Sequence, residues 1–128
     1  MNLSLETPIQ LVIERTIANV KIKYAEIREI TQGGPEVGKL FINNNCVSGN
    51  QLFGGPCIYY KGDIYIPAFI RNFFSAGFKL CRINAQTLEF KFLDKMRDLI
   101  YLKEIEDGKV IFYEDLEKTK LNFVDLSK

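Results

Sequence analysis

Histidine and tryptophan are absent from these 128 residues, and cysteine occurs three times. No apolar run approaches the roughly 18 residues that a membrane-spanning helix requires. Without histidine the chain lacks the commonest general base, the commonest neutral-pH switch and the commonest metal ligand, and no Cys–His pair can form. Cys46, Cys57 and Cys81 are an odd number at unrelated spacings, which suits reduced thiols rather than a disulfide framework. Cys57 and Cys81 sit in apolar strand patterns and are expected as buried structural thiols. Seventeen Lys and Arg against sixteen Asp and Glu leave a net charge of +1, so no overall field draws the chain to nucleic acid or anionic lipid. The first eight residues lack a basic start, and Glu14 and Arg15 interrupt the apolar stretch behind them, so no signal peptide is expected and the location is expected to be cytoplasmic. Gly33-Gly34 and Gly54-Gly55 each precede proline and read as turns, not as a phosphate cradle. Zinc-type cysteine pairs and calcium-type acidic ladders are missing too. On these grounds no catalytic residue, metal or cofactor is assigned.

What is present is a series of short apolar or alternating runs separated by Gly, Asn and Asp, the pattern of antiparallel hairpins. Residues 57–60 and 63–67 flank Lys61-Gly62. Residues 78–83 and 88–92 flank a four-residue loop, and residues 99–105 and 109–113 flank Glu106-Asp107-Gly108. Leu121 to Leu126 supplies a last strand. In residues 1–30 helical and strand periodicities compete, and the β-branched content favours strands. One long strand from about Asn19 to Ile30 needs a bulge near Ala25 or Glu26 to return Ile27 to the apolar face. Residues 43–56 read as loop, and Pro67 to Gly77 as a connection. Gly38, Gly62 and Gly108 each precede a polar and three apolar residues, separated by 24 and 46 positions, and residues 57–93 resemble one four-stranded propeller blade. The length excludes a closed propeller. The expected fold is therefore one mainly β domain over residues 1–128, with little helix. It is an antiparallel hairpin meander forming an open sandwich or partial barrel with blade-like repeats.

Two segments stand out. Four phenylalanines fall within residues 69–78, beside Arg71. Either a short helical turn carries Phe69 and Phe73 inward to plug the sheet, or exposed rings meet a partner. Residues 57–93 hold five bases and two acids, so Arg71, Phe73, Phe74, Lys79 and Arg82 form an alternative site for single-stranded nucleic acid, less suited to a near-neutral chain. From Glu104 to Glu117 the charge reverses: Glu104, Glu106, Asp107, Glu114, Asp115 and Glu117 oppose Lys109 alone. These six acids, with Phe74, are the candidate protein-binding residues, since such a cluster speeds encounter with a basic surface. The competing reading is a solvated strand edge, and an unpaired edge could also join two copies. Pairing of Asp63 with Glu89, or of Glu104 with Glu114, would be needed for a carboxylate-dependent hydrolase.

A small β-rich domain with no catalytic constellation, an aromatic insert at Phe69 to Phe78 and acidic runs at Glu104-Ile105-Glu106-Asp107 and Glu114-Asp115 resembles the small cytoplasmic immunity proteins of bacterial polymorphic toxins, including contact-dependent inhibition systems. The resemblance implies a non-enzymatic protein that binds a cognate toxin domain, often a nuclease, by opposing acids to its basic groove. It carries over no residue by position. The expected partner is thus another protein, with no membrane.

Overall fold

The alternation read from the sequence becomes strands almost throughout the computed structural model, which describes residues 6–127. In chain order they are β1 (Glu14–Ile17), β2 (Val20–Glu29), β3 (Glu36–Ile42), β4 (Asn45–Cys46), β5 (Leu52–Phe53) and β6 (Ile58–Tyr60). β7 (Asp63–Arg71), β8 (Ala76–Asn84), β9 (Phe90–Phe92), β10 (Tyr101–Glu106), β11 (Lys109–Tyr113) and β12 (Leu121–Asp125) follow. No helix occurs among the described residues, so none is long and apolar enough to cross a membrane. Nine strands form one antiparallel sheet in the order β1-β2-β3-β5-β7-β8-β9, with β4 beside β3 and β6 beside β7. β10, β11 and β12 form a second sheet. The architecture is an open, all-β meander that does not close into a barrel.

Four hairpins turn through pairs of residues with positive φ, the backbone whose twist matches that of the flanking strands. They are Ala18-Asn19, Asn43-Asn44, Lys61-Gly62 and Asp107-Gly108. The expected bulge in β2 is present: register shifts between Ala25 and Arg28, and Glu26 has φ 55°. The extra residue brings Ile27 onto the core and turns Arg28 to the other face.

Three expectations are corrected. Residues 67–77 are no connection and contain no helical turn. β7 runs through Pro67 to Arg71, and Phe69 pairs with Phe78 across the hairpin. Pro67 is tolerated because its missing N–H falls where β6 has ended, and its carbonyl still accepts from Gly54 N at 2.8 Å. Residues 43–56 are not all loop, since they hold β4 and β5. The three repeat glycines are not equivalent: Gly62 and Gly108 occupy turns, whereas Gly38 lies inside β3, where a Cβ would stand 2.9 Å from Ala25 O at the bulge. β6 to β9 do run as a consecutive meander like a blade, but β7 is shared with β5.

Two apolar clusters hold the chain. The first collects Ile22, Tyr24, Leu40, Ile42, Phe53, Ile64, Ile66, Cys81 and Ile83. Ile17 from β1 and Phe90 from β9 both pack on it, so the large sheet curls around this cluster. The second lies between the opposite face of that sheet (Val37, Tyr65, Phe78, Leu80) and the inner face of the small one (Leu102, Val110, Phe112). β7 thus sends Ile64 and Ile66 one way and Tyr65 the other, which is why its sequence is apolar without a break.

Candidate functional site

The most unusual surface is the tip of the β7–β8 hairpin. Asn72 closes it: its N–H donates to Ser75 O at 2.8 Å. Its Oδ1 accepts from Phe74 N (3.0 Å), Ser75 N (2.9 Å) and Ser75 Oγ (3.1 Å). The two residues between, Phe73 and Phe74, are 91% and 89% exposed, their rings edge-to-face with centroids 4.8 Å apart. Below them the stem is fixed by the Phe69–Phe78 ring contact (5.6 Å) and by two backbone bonds between Phe78 and Arg97, of 2.7 and 2.8 Å. Gly77 permits that approach, since a Cβ there would sit 2.6 Å from Arg97 O. Phe69 and Phe78 therefore face the core, whereas Phe73, expected inward with Phe69, points out with Phe74.

The acids that adjoin in sequence are parted by the fold. Glu106 and Asp107 lie at the β10–β11 turn, and Glu114, Asp115 and Glu117 at the opposite end of the small sheet, about 16 Å away at roughly 3.3 Å per residue. Glu104 lies between, opposite Ile111, and binds Lys103 at 2.8 Å. That hydrogen bond and charge raise the Lys103 pKa. Glu114 is held by Arg97 (3.2 Å) and Asn122 (2.8 Å). Asp115 shapes its loop, accepting from Thr119 Oγ1 and from the amides of Thr119 (2.9 Å) and Lys120 (3.0 Å), which holds its carboxyl below the usual range. Glu106, Asp107 and Glu117 are exposed. Because Arg97 joins the hairpin stem to Glu114 and stacks on Phe112 at 5.0 Å, the 114–120 loop and the Phe73–Phe74 tip share one end of the molecule. Phe74, Glu114, Asp115 and Glu117 are brought to that end, and Glu106 and Asp107 are not.

The bases of the alternative nucleic-acid site are dispersed as well. Arg71 stays at the tip, its guanidinium 5.6 Å from the Phe69 ring centroid. Lys79 lies over Phe92 at 5.3 Å, and Arg82 pairs with Lys91 toward the far end of β8. Of the carboxylate pairs, Asp63 and Glu89 line one shallow groove together with Arg82 and Lys91. Glu104 and Glu114 stand about 10 Å apart along β11. No cluster of three or more metal-ligating acids, cysteines or histidines occurs among the described residues.

Several features had no signal in the sequence. Glu6 is buried, with Arg15 Nη2 at 3.0 Å from Oε1 and Val12 N donating to Oε2 at 3.1 Å. Arg15 also donates to Cys57 O at 3.3 Å, and Tyr24 OH donates to Gly54 O at 2.6 Å. Burial raises the Glu6 pKa, and the nearby guanidinium opposes this in part. Burial also raises the Cys57 thiol, and pushes Cys81 up to about 12. Both thiols are thus held in the protonated, unreactive form. The outer face of the small sheet exposes Leu121 (60%) and Phe123 (50%), with Lys109 lying over Phe123 at 5.6 Å. An unbroken apolar run such as 110–113 is the signal that both faces of a strand are apolar. Compared with known protein families, with curated proteins and with solved structures, the chain matches none.

Proposed function

We propose that the chain is a non-enzymatic binding domain that docks on another protein through the β7–β8 tip, and that it neutralises that partner as an immunity protein neutralises its toxin. The observation that carries the reading is the Phe73–Phe74 pair, fully presented on a loop whose shape is set by Asn72. Burying one such ring gains about 1.5–3 kcal/mol. A tip already ordered loses little further entropy on binding. A convex aromatic tip matches a concave apolar pocket, and the exposed Glu117 at the same end of the molecule suits a basic rim.

Affinity capture with the full chain from its own cells, followed by titration of the captured protein, tests this. Phe73→Ala/Phe74→Ala should weaken the complex by roughly 100-fold or more, as expected for two central aromatic anchors. Charge reversal at Glu117, at the same end as the tip, should weaken it mainly at low salt, whereas reversal at Glu106 and Asp107, at the far end of the small sheet, should have a smaller effect. A partner whose affinity ignores both rings would sink the proposal, and salt-sensitive capture of an oligonucleotide in its place would move the site to nucleic acid.

A further inference from the structure

A groove of about 550 Å³ opens beside the aromatic tip, where β5 stops short. β5 ends opposite Phe69, while β7 continues through Ile70 and Arg71, so those two residues form a bare sheet edge on that side. In the antiparallel pattern Asn72 and Ser75 form a hydrogen-bonded pair. Arg71 and Ala76 are then a non-bonded pair, and the amide and carbonyl of Arg71 point away from β8 into the groove. The Gln51 side chain marks the end of the existing ladder, donating at 2.7 Å to both Leu52 O and Phe69 O. Ile30, Leu52 and Phe69 belong to the second apolar cluster and give the groove an apolar floor. Arg28 and Arg71 stand on the same faces of their strands as Ile30 and Phe69. Arg28 does so because of the β2 bulge. The one carboxylate in the groove, Glu29, already accepts from Gly33 N at 3.3 Å.

We infer that this groove takes an extended, acidic peptide segment, which adds as a short strand beside Ile70–Arg71 and places a carboxylate between Arg28 and Arg71. The inference rests on the protein-binding reading above, since the segment would belong to the partner that receives the tip. Main-chain bonds to a strand edge give affinity, and alternate side chains give selectivity. Guanidinium groups bind carboxylates by paired, charge-assisted bonds. Two arginines beside a carboxylate are too little positive charge to follow a phosphodiester chain, and this favours a peptide over nucleic acid.

The test uses the full chain, labelled with ¹⁵N, and three probes. These are an acetylated, amidated pentapeptide of alternating valine and aspartate, its valine and lysine counterpart, and octathymidylate. The acidic peptide is expected to shift the amides of Gln51, Leu52, Ile70 and Arg71 and to protect the Arg71 amide from exchange. R28Q/R71Q, both at exposed positions, should weaken that binding about tenfold while leaving the spectrum dispersed. Equal shifts with the basic peptide, no shifts with either, or tighter binding of octathymidylate at the same amides would each overturn the inference. Its failure is separable from that of the docking proposal. A partner lost with Phe73→Ala/Phe74→Ala but indifferent to R28Q/R71Q leaves the tip standing and removes the groove. The reverse result removes the tip alone.

Discussion

Replacing Phe112 by alanine is expected to destabilise the protein by about 3–5 kcal/mol and to lower its melting temperature by about 10 °C or more. Phe112 is fully buried at the centre of the second apolar cluster, under the guanidinium of Arg97. The three-stranded sheet shares no ladder with the nine-stranded one. It is held by side-chain packing, through Phe112, Val110 and Leu102, and by the Arg97–Glu114 bridge of 3.2 Å. A cavity at Phe112 therefore acts on the joint between the sheets more than on either ladder. Hydrogen exchange gives the sharper readout. Amides of β10 to β12 should lose protection well before those of β7 and β8, because local opening follows the least packed cooperative unit. Phe53→Ala, which empties the first cluster beside Phe90, should lower protection in the large sheet instead. Equal loss across both sheets in the Phe112 variant would show that they unfold as one unit.

Replacing Arg15 by methionine is expected to cost about 3 kcal/mol near neutral pH, the lower end for breaking a buried ion pair because the Arg15 side chain keeps 21% of its exposure. The loss follows from the partner left behind. The Glu6 carboxylate is enclosed, and without the guanidinium it loses the positive charge that opposes the cost of burial. The pH dependence is diagnostic. Burial raises the Glu6 pKa in the folded state, so between its unfolded and folded values the native protein binds more protons than the unfolded chain. The stability this carboxyl contributes is fully present below its unfolded value and is lost as pH rises through the folded one. Removal of Arg15 takes away the opposing charge and raises that folded value further. Arg15→Met should accordingly recover part of its stability on acidification from pH 7 toward about pH 5. The double variant R15M/E6Q should regain stability at pH 7 and lose this pH response. Denaturant melts across pH would refute the assignment if the single variant were destabilised equally at both values.

The local levels of this fold were readable residue by residue. Lys61-Gly62 and Asp107-Gly108 carry a glycine that tolerates positive φ, and both hairpins formed where they stand. Ala18-Asn19 and Asn43-Asn44 adopt the same backbone without glycine, so the turns around them were harder to see. Ile27 stood out of phase with Val20, Ile22 and Tyr24, and only a bulge could reconcile them. One formed between Ala25 and Arg28. Phe69 and Phe73 are four apart, a spacing that suits a helical turn, yet the segment is a strand and a tight turn. A strand followed by a tight turn puts the same two rings on opposite sides of the core boundary.

Sequence alone determined that this chain builds antiparallel strands, because period-two alternation, turn residues and the absence of a sustained helical stripe are properties of neighbours along the chain. It also determined that chemistry depending on histidine has no place here. Only the tertiary structure decided which charges and rings share a surface. The acids from Glu104 to Glu117 are contiguous in sequence yet parted to two ends of a sheet by a hairpin. Arg28 and Arg71 are 43 positions apart yet line one groove, because β3 and β5 carry the chain from one strand to the other. Glu6, an ordinary acid in an unremarkable N-terminal stretch, became the buried partner of Arg15 through the same long-range closure. Pairing between distant strands is set by which apolar faces can be buried together, a property of the whole assembled sheet that no window of the sequence contains.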